Sequence, residues 1–109
     1  MKATYWQKGQ SLDYKNGTSA TIEANTVLVI GSLIGIAGTD IEPGETGSVH
    51  VEGVFQMPKK DSTTITMGAA VYWNASDGIT TTDSGNTLAG YAAEASEAGA
   101  KTILVKLNK

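Results

Sequence analysis

The sequence contains no cysteine and no arginine, and each absence excludes a class of function. Without cysteine, the chain of 109 residues has neither a disulfide framework nor a thiolate metal site, so stability must come from packing and assembly. Proteins that read nucleic-acid sequence rely on arginine for bidentate contacts, and they are usually basic. A chain without arginine and with a net charge of −3 is therefore a poor candidate for nucleic-acid binding.

Long apolar segments are also scarce. The longest one, near residues 27–37, is interrupted by glycines and is too short to span a bilayer. The first eight residues, MKATYWQK, lack the apolar core of a signal peptide. We therefore expect a soluble protein that is made in the cytoplasm and does not bind membranes.

Short alternating segments separated by glycine-rich turns predict an all-β fold in one domain. The clearest is the stretch of residues 41–59. Pro43-Gly44 predicts a turn, Gly53 a bend, and Pro58 the end of a strand. Between them, apolar residues alternate with polar ones as in one half-buried strand: Val49, Val51, Phe55 and Met57.

Further strands are predicted on both sides of this stretch. Val27–Ile30 is apolar throughout, which indicates cover on both faces, and Leu33–Ala37 returns after a tight turn. Residues 88–95 alternate with Ala89 and Tyr91 on one side, and residues 102–108 place Ile103, Val105 and Leu107 inward. Residues 64–80 weakly repeat residues 20–38 at an offset of 43, with Ile22 on Ile65 and Ile36 on Ile79. Such a repeat predicts two similar hairpins in a pseudo-symmetric small barrel.

The first 16 residues predict an N-terminal arm, and residues 17–109 the β domain. The arm carries four apolar or aromatic residues among lysines and polar residues: Tyr5, Trp6, Leu12 and Tyr14. Two interpretations are open. Trp6 and Tyr14 cap one end of the core, or the extended arm lays aromatic anchors on a neighbouring protein.

One set of residues has the composition of a catalytic relay. Ser48, His50 and Glu52 lie on the same face of the predicted strand. Alternate residues of a strand are about 7 Å apart, which is too far for a linear relay. We therefore predict a solvated strand face, no catalytic residue and no cofactor. The acidic residues from Asp40 to Glu52 lack the spacing of a calcium loop, so no metal site is predicted.

Outward residues on two strands are candidates for a subunit interface. Leu104 is predicted to point outward beside Lys106, and an exposed leucine on a terminal strand is typical of a subunit contact. His50 and Glu52 share the outward face of the central strand, which we expect to meet a second subunit.

Several motifs together resemble one family. They are Tyr5-x-x-x-Gly9-x-x-Leu12-Asp13-Tyr14, the run GETGSVHVEGVFQMPK at residues 44–59, the strand AVYW at residues 70–73, and Gly90-Tyr91-Ala92. The chain resembles the capsid cement, or head decoration, proteins of tailed phages and prophages, and the resemblance spans nearly the whole sequence.

This resemblance implies a non-enzymatic virion protein on the outer surface of the capsid. Its implied partner is the major capsid protein, its implied state a homotrimer, and its implied fold the β-tulip of lambda-type decoration proteins. Neither a nucleic acid nor a small-molecule substrate is implied. The alternative is a tail or baseplate module that binds surface glycans, with Tyr72 and Trp73 stacking on a sugar.

Overall fold

Nine strands form two sheets in the computed structural model, which describes residues 1–59 and 63–109. Sheet I has the order β1-β4-β3-β2 and sheet II the order β5-β9-β8-β6-β7, and all paired strands within the sheets are antiparallel. The strands are β1 (Ser11–Lys15), β2 (Val27–Ile30), β3 (Leu33–Ala37), β4 (Thr46–His50), β5 (Val54–Pro58), β6 (Ala70–Asn74), β7 (Gly78–Thr80), β8 (Thr87–Ala92) and β9 (Thr102–Leu107).

The predicted all-β class is confirmed, and the described ranges contain no closed barrel. Sheet II comes nearest to closure, because an isolated parallel bridge joins Lys59, just after β5, to Ile79 of β7. Sheet I has β1 and β2 as its two outer strands. The barrel or tulip detail therefore stays a prediction.

The stretch of residues 41–59 is not one strand, as predicted, but two strands in different sheets. β4 pairs with β1 and β3 in sheet I, whereas β5 pairs with β9 in sheet II. The chain crosses between the sheets at residues 51–53, where Gly53 has a φ of 121°, a conformation that glycine adopts without strain. Val49 and Met57 are both buried as predicted, but they lie in two different clusters.

The weak sequence repeat corresponds to a structural duplication. β1 and β2 recur as β5 and β6 at the same offset of 43 positions, and β3 and β4 recur as β8 and β9. The registers agree: Leu12↔Val49 recurs as Phe55↔Val105, and Ala37↔Val49 as Ala92↔Val105. The hairpin strand β7 is inserted into the second half. This insertion makes Tyr91 the counterpart of Ile36, so the predicted match of Ile36 with Ile79 is wrong.

The loops of the two halves also correspond to each other. Ile22 bridges Ile41 in the first half, and Ile65 bridges Ser96 in the second. Each half also has one buried polar side chain that binds loop carbonyls directly after its first strand. Asn16 Nδ2 donates to the Ala20 and Ile41 carbonyls at 2.8 Å each, and Lys59 Nζ donates to the Glu97 carbonyl at 2.8 Å. Because buried polar groups need partners, these bonds fix the loops at equivalent places.

Two apolar clusters hold the sheets. The main core joins Ile34 and Ile36 of sheet I to the inner face of sheet II, and Ile103, Val105 and Leu107 are buried there as predicted. The smaller second cluster lies on the opposite face of sheet I. Its members, with the residues packed against it, are Ile22, Ala37, Ile41, Val49, Tyr14, Leu28, Ile30 and Val51.

Two predicted strand faces differ from the structure. β2 is an edge strand, so Val29 is 51% exposed and the expected cover on both faces is absent there. In β8, the register shifts opposite Val71 and Tyr72. Because of this irregularity, the side chain of Ala89 points into the core while Tyr91 stays exposed. The prediction that the two residues lie on the same side is therefore wrong.

The side chain of Asn108 joins the two sheets just after β9. Its Nδ2 donates to the carbonyls of Ile34 at 2.9 Å and Val51 at 2.7 Å, and its Oδ1 accepts from Ile34 N at 3.1 Å. Its backbone N donates to the Ala89 carbonyl at 2.7 Å. One residue thus connects β3, the crossing segment and β8.

We predict that Asn108→Gly lowers the free energy of unfolding by roughly 2–3 kcal/mol, because three hydrogen bonds to the backbone of β3 and of the crossing segment are lost. Asn108 has a φ of 51°, so Asn108→Ala should cost roughly 1 kcal/mol more, since alanine is strained in this conformation. Urea unfolding of both variants measures the two effects separately. An unchanged midpoint for Asn108→Gly would show that Asn108 does not hold the sheets together.

Candidate functional site

In the N-terminal segment before β1, every residue but Gly9 is exposed. Residues 1–10 form no strand, and Tyr5 and Trp6 are 79% and 87% exposed. Few contacts tie the segment to the body: Gln7 Nε2 donates to the Ser11 carbonyl, and the Gln10 carbonyl accepts from Val51 N at 3.0 Å. Trp6 therefore does not cap the core, which leaves it available to a neighbouring protein.

The other two predicted arm residues lie within sheet I. Leu12 and Tyr14 belong to β1, where they pair with Val49 and Gly47. Tyr14 is half-buried against the second cluster, and Leu12 is 37% exposed on the same face. The structure thus separates an extended segment, residues 1–10, from a sheet strand. The division into an arm of residues 1–16 and a domain of residues 17–109 remains a prediction.

The contacts of His50 are with residues other than Ser48 and Glu52, in keeping with the prediction that the three form no relay. Its Nδ1 lies 3.1 Å from Ser11 Oγ, and its ring packs at 5.8 Å from the ring of Phe55. Ser48 and Glu52 are exposed, and Glu52 lies in the crossing segment after β4 has ended. In this arrangement His50 fastens β1 to β4. The predicted solvated polar character holds for Ser48 and Glu52, whereas His50 is half-buried.

Leu104 lies at the middle of β9, where it pairs with Gln56 of β5. Its side chain is half-buried, between the buried residues Ile103 and Val105. Leu104, His50 and Glu52 are thus on different strands or connections, and their role at a subunit interface stays a prediction.

Sheet II presents a shallow groove on the face opposite the main core, which we name the outer groove. Tyr91 and Leu88 are 39% and 41% exposed in it, and Tyr72 is half-buried. The residues that line it are Gly68, Ala70, Tyr72, Leu88, Gly90, Tyr91 and Lys109. Sequence reasoning missed the groove, because the irregularity in β8 changes which residues share a face.

The glycan-stacking platform predicted from Tyr72 and Trp73 is not formed. The two residues are consecutive in β6 and therefore point to opposite faces of sheet II. Tyr72 lines the outer groove, whereas Trp73 packs against the main core. They cannot stack on one sugar together.

Charge is divided along the chain. Residues 1–10 carry Lys2 and Lys8 and no aspartate or glutamate, and the last eleven residues carry three lysines and no aspartate or glutamate. Between Lys15 and Lys59 there is no lysine, and this stretch holds five carboxylates: Glu23, Asp40, Glu42, Glu45 and Glu52. The stretch between Lys60 and Lys101 likewise holds five carboxylates and no lysine. Basic termini therefore flank an acidic middle that both halves of the chain share.

Metal-ligating side chains do not cluster in residues 1–59 and 63–109, where no group of three or more His, Asp or Glu could hold an ion. Asp40 instead accepts from Ala24 N at 2.8 Å, and Glu42 accepts from the Thr21 hydroxyl at 3.0 Å. Over the same described ranges, no helix is long and apolar enough to cross a membrane.

These features define a class of protein: a small two-sheet β domain with outer sheet strands, an exposed aromatic segment and apolar groups on its surface, as found in modules that bind other proteins. The model of the phage cement protein family matches residues 6–107, and the chain belongs to that family. Its family indicates a capsid-associated structural role. Neither a curated protein nor a solved structure matches the chain.

We predict that the contact between Ser11 and His50 stabilises the protein rather than serving chemistry. Ser11→Ala and His50→Ala should each lower the free energy of unfolding, and a double-mutant cycle should give a coupling of about 1 kcal/mol, which is typical of one hydrogen bond. Urea unfolding of the two single variants and the double variant measures it. Additive losses would mean that the side chains do not interact.

Proposed function

We propose that the protein binds the outer surface of an assembled phage capsid and stabilises it, as a homotrimer whose partner is the major capsid protein. It is made in the host cytoplasm and acts without enzymatic chemistry. The observation that carries the proposal is the family match over residues 6–107 together with an exposed aromatic segment that the domain itself does not use. Aromatic side chains are the residues most often found to dominate protein interfaces.

Tyr5 and Trp6 are the proposed capsid anchors. Both precede β1 on a segment with few contacts to the body, so they can reach a neighbouring surface without disturbing sheet I. An extended segment of this kind can also add a strand to an exposed sheet edge of its partner. Leu12 and Tyr14, on the body of the domain, are proposed partner contacts, either to the capsid or to another copy of the chain.

Trimerisation explains how modest contacts can give firm attachment. Three linked copies bind at a high effective concentration, so each segment needs only moderate affinity. His50, Glu52 and Leu104 remain the proposed subunit contacts of sheets I and II. Glu52 is exposed and His50 and Leu104 are half-buried, so each of them has accessible surface for a contact with another subunit.

We predict that replacing Tyr5 and Trp6 together with serine weakens capsid binding by roughly 30-fold, because two aromatic anchors are lost. Binding to purified capsids that lack the protein, measured by co-sedimentation over a concentration series, checks this. The full-length double variant is preferable to deletion of residues 1–15, which would also remove β1 from sheet I.

The matched control is Val29→Ser, which removes another exposed apolar side chain from an edge strand. It should bind capsids as the parent does. Equal binding by the Tyr5→Ser/Trp6→Ser variant and the parent would refute the anchor role, and absence of binding by the parent would refute the proposed function.

We also predict that capsid occupancy falls as the salt concentration rises. The basic termini and the acidic middle of the chain can attract opposite charges on neighbouring subunits or on the capsid, and salt screens this attraction. The screening length is about 10 Å at 0.1 M salt and shorter still at about 0.5 M. The effect is measured as the capsid occupancy at these two salt concentrations, with the protein held at a fixed concentration too low to fill all capsid sites. Unchanged occupancy would contradict an electrostatic contribution.

A further inference from the structure

The internal duplication shows what the outer groove of sheet II corresponds to in sheet I. The pairs Val27↔Ile36 and Val29↔Ile34 of sheet I recur in sheet II as Ala70↔Tyr91 and Tyr72↔Leu88. In sheet I, Ile34 and Ile36 are buried in the main core, with Val27 packed against it. The same positions in sheet II line the outer groove and are only partly covered within the described chain, with Tyr91 and Leu88 still 39% and 41% exposed.

The opposite face of sheet I corresponds in turn to the inner face of sheet II. We call it the apolar face of sheet I, and its residues are Leu12, Tyr14, Leu28 and Ile30. Their counterparts in sheet II are Phe55, Met57, Val71 and Trp73, all of which take part in the main core. On sheet I this face is only partly covered, since Leu12 and Leu33 stay exposed there.

We propose that these two surfaces bind each other between copies of this chain: the outer groove of one copy packs on the apolar face of sheet I of the next. Within one chain, the buried face of sheet I already packs on the inner face of sheet II. The proposed contact repeats that sheet-on-sheet packing with the equivalent residues of two chains.

Charge supports a second copy as the occupant of the groove. Lys109 lines the outer groove, and Lys106 lies opposite Tyr91 on the neighbouring strand. On the side of the apolar face of sheet I, the second cluster includes Ile22 and Ile41 from two bridged loops, and the exposed carboxylates Glu23, Asp40 and Glu42 directly adjoin them in the chain. Packing one surface on the other therefore brings opposite charges to the border of an apolar contact, which favours this pairing over a groove-to-groove pairing.

The contact uses two different surfaces, so every copy offers one of each. Contacts of this head-to-tail kind close into rings when the rotation between copies allows it. The inference therefore deepens the proposed function, since it rests on the homotrimer proposed there and names two surfaces that form it in addition to the contacts proposed for His50, Glu52 and Leu104. Self-association needs no capsid, however, and can be measured separately from capsid binding.

The test uses two full-length variants that each block one surface. Tyr91→Glu places a carboxylate in the outer groove, and Leu12→Glu places one on the apolar face of sheet I. In analytical ultracentrifugation, the parent should sediment as an oligomer and each variant as a monomer. An equimolar mixture of the two variants should form a dimer and nothing larger, because one intact groove and one intact apolar face remain to pair.

The control is Thr81→Glu, which adds the same charge at an exposed position outside both surfaces. It should associate as the parent does, and circular dichroism should show all three variants folded. Cysteine substitution gives an independent measure, because the chain has no native cysteine. Copies carrying Leu12→Cys should cross-link to copies carrying Tyr91→Cys at least about tenfold faster than to copies carrying Thr81→Cys.

Three outcomes would overturn the inference. A parent that stays monomeric at its highest soluble concentration shows no such contact. A Leu12→Glu variant that still associates points to groove-to-groove pairing. A mixture that stays monomeric shows that the two surfaces are not partners. If association behaves as expected but the parent does not bind capsids, the inference stands and the proposed function fails.

Discussion

The two sheets are joined by the main core and by the hydrogen bonds of Asn108. Its side chain binds the backbone of β3 and of the crossing segment, while its own backbone binds β8. These bonds hold Ile34 and Ile36 against the inner face of sheet II. The face of sheet I that carries Ile34 and Ile36 is thus buried within the chain. The outer groove and the apolar face on the other side of sheet I are the surfaces left for other molecules.

The duplication explains why equivalent positions carry different side chains. Ile36 is buried in the main core, whereas its counterpart Tyr91 is partly exposed in the outer groove. A tyrosine suits such a place, since its ring offers apolar surface and its hydroxyl stays hydrated. The inserted strand β7 adds a second difference, because β6 is covered at its edge and its counterpart β2 is not. The two halves thus share a register but not a set of surfaces.

Local patterns predicted what depends on local chemistry. The turns, the strand end at Pro58 and the inward side of β9 follow from backbone preference and alternation, and they are confirmed. The exposure of Trp6 was one of two open interpretations. Alternation gave a wrong prediction across residues 49–57. Two strands of different sheets follow one another there, the second continues the apolar-polar alternation of the first, and only Gly53 indicates where the chain passes from one sheet to the other.

Long-range contacts decide the remaining features. Asn108 meets Ile34 across 74 positions of the chain, and no local pattern indicates such a bond. The repeat at an offset of 43 was visible, but few residues are identical, and the insertion of β7 displaced the match of Ile36. The outer groove depends on the irregularity between β6 and β8, which only the pairing of both strands reveals.

The proposed ring can offset the free energy that is lost when the extended segment, residues 1–10, becomes ordered on a partner. Fixing the backbone of one residue costs about 1–2 kcal/mol, so fixing residues 1–10 on a partner offsets much of the gain from Tyr5 and Trp6. A single copy would therefore bind weakly through this segment. A ring formed through sheets I and II presents several segments at a high effective concentration. Sheet-to-sheet contacts between copies would then decide how firmly the segments hold.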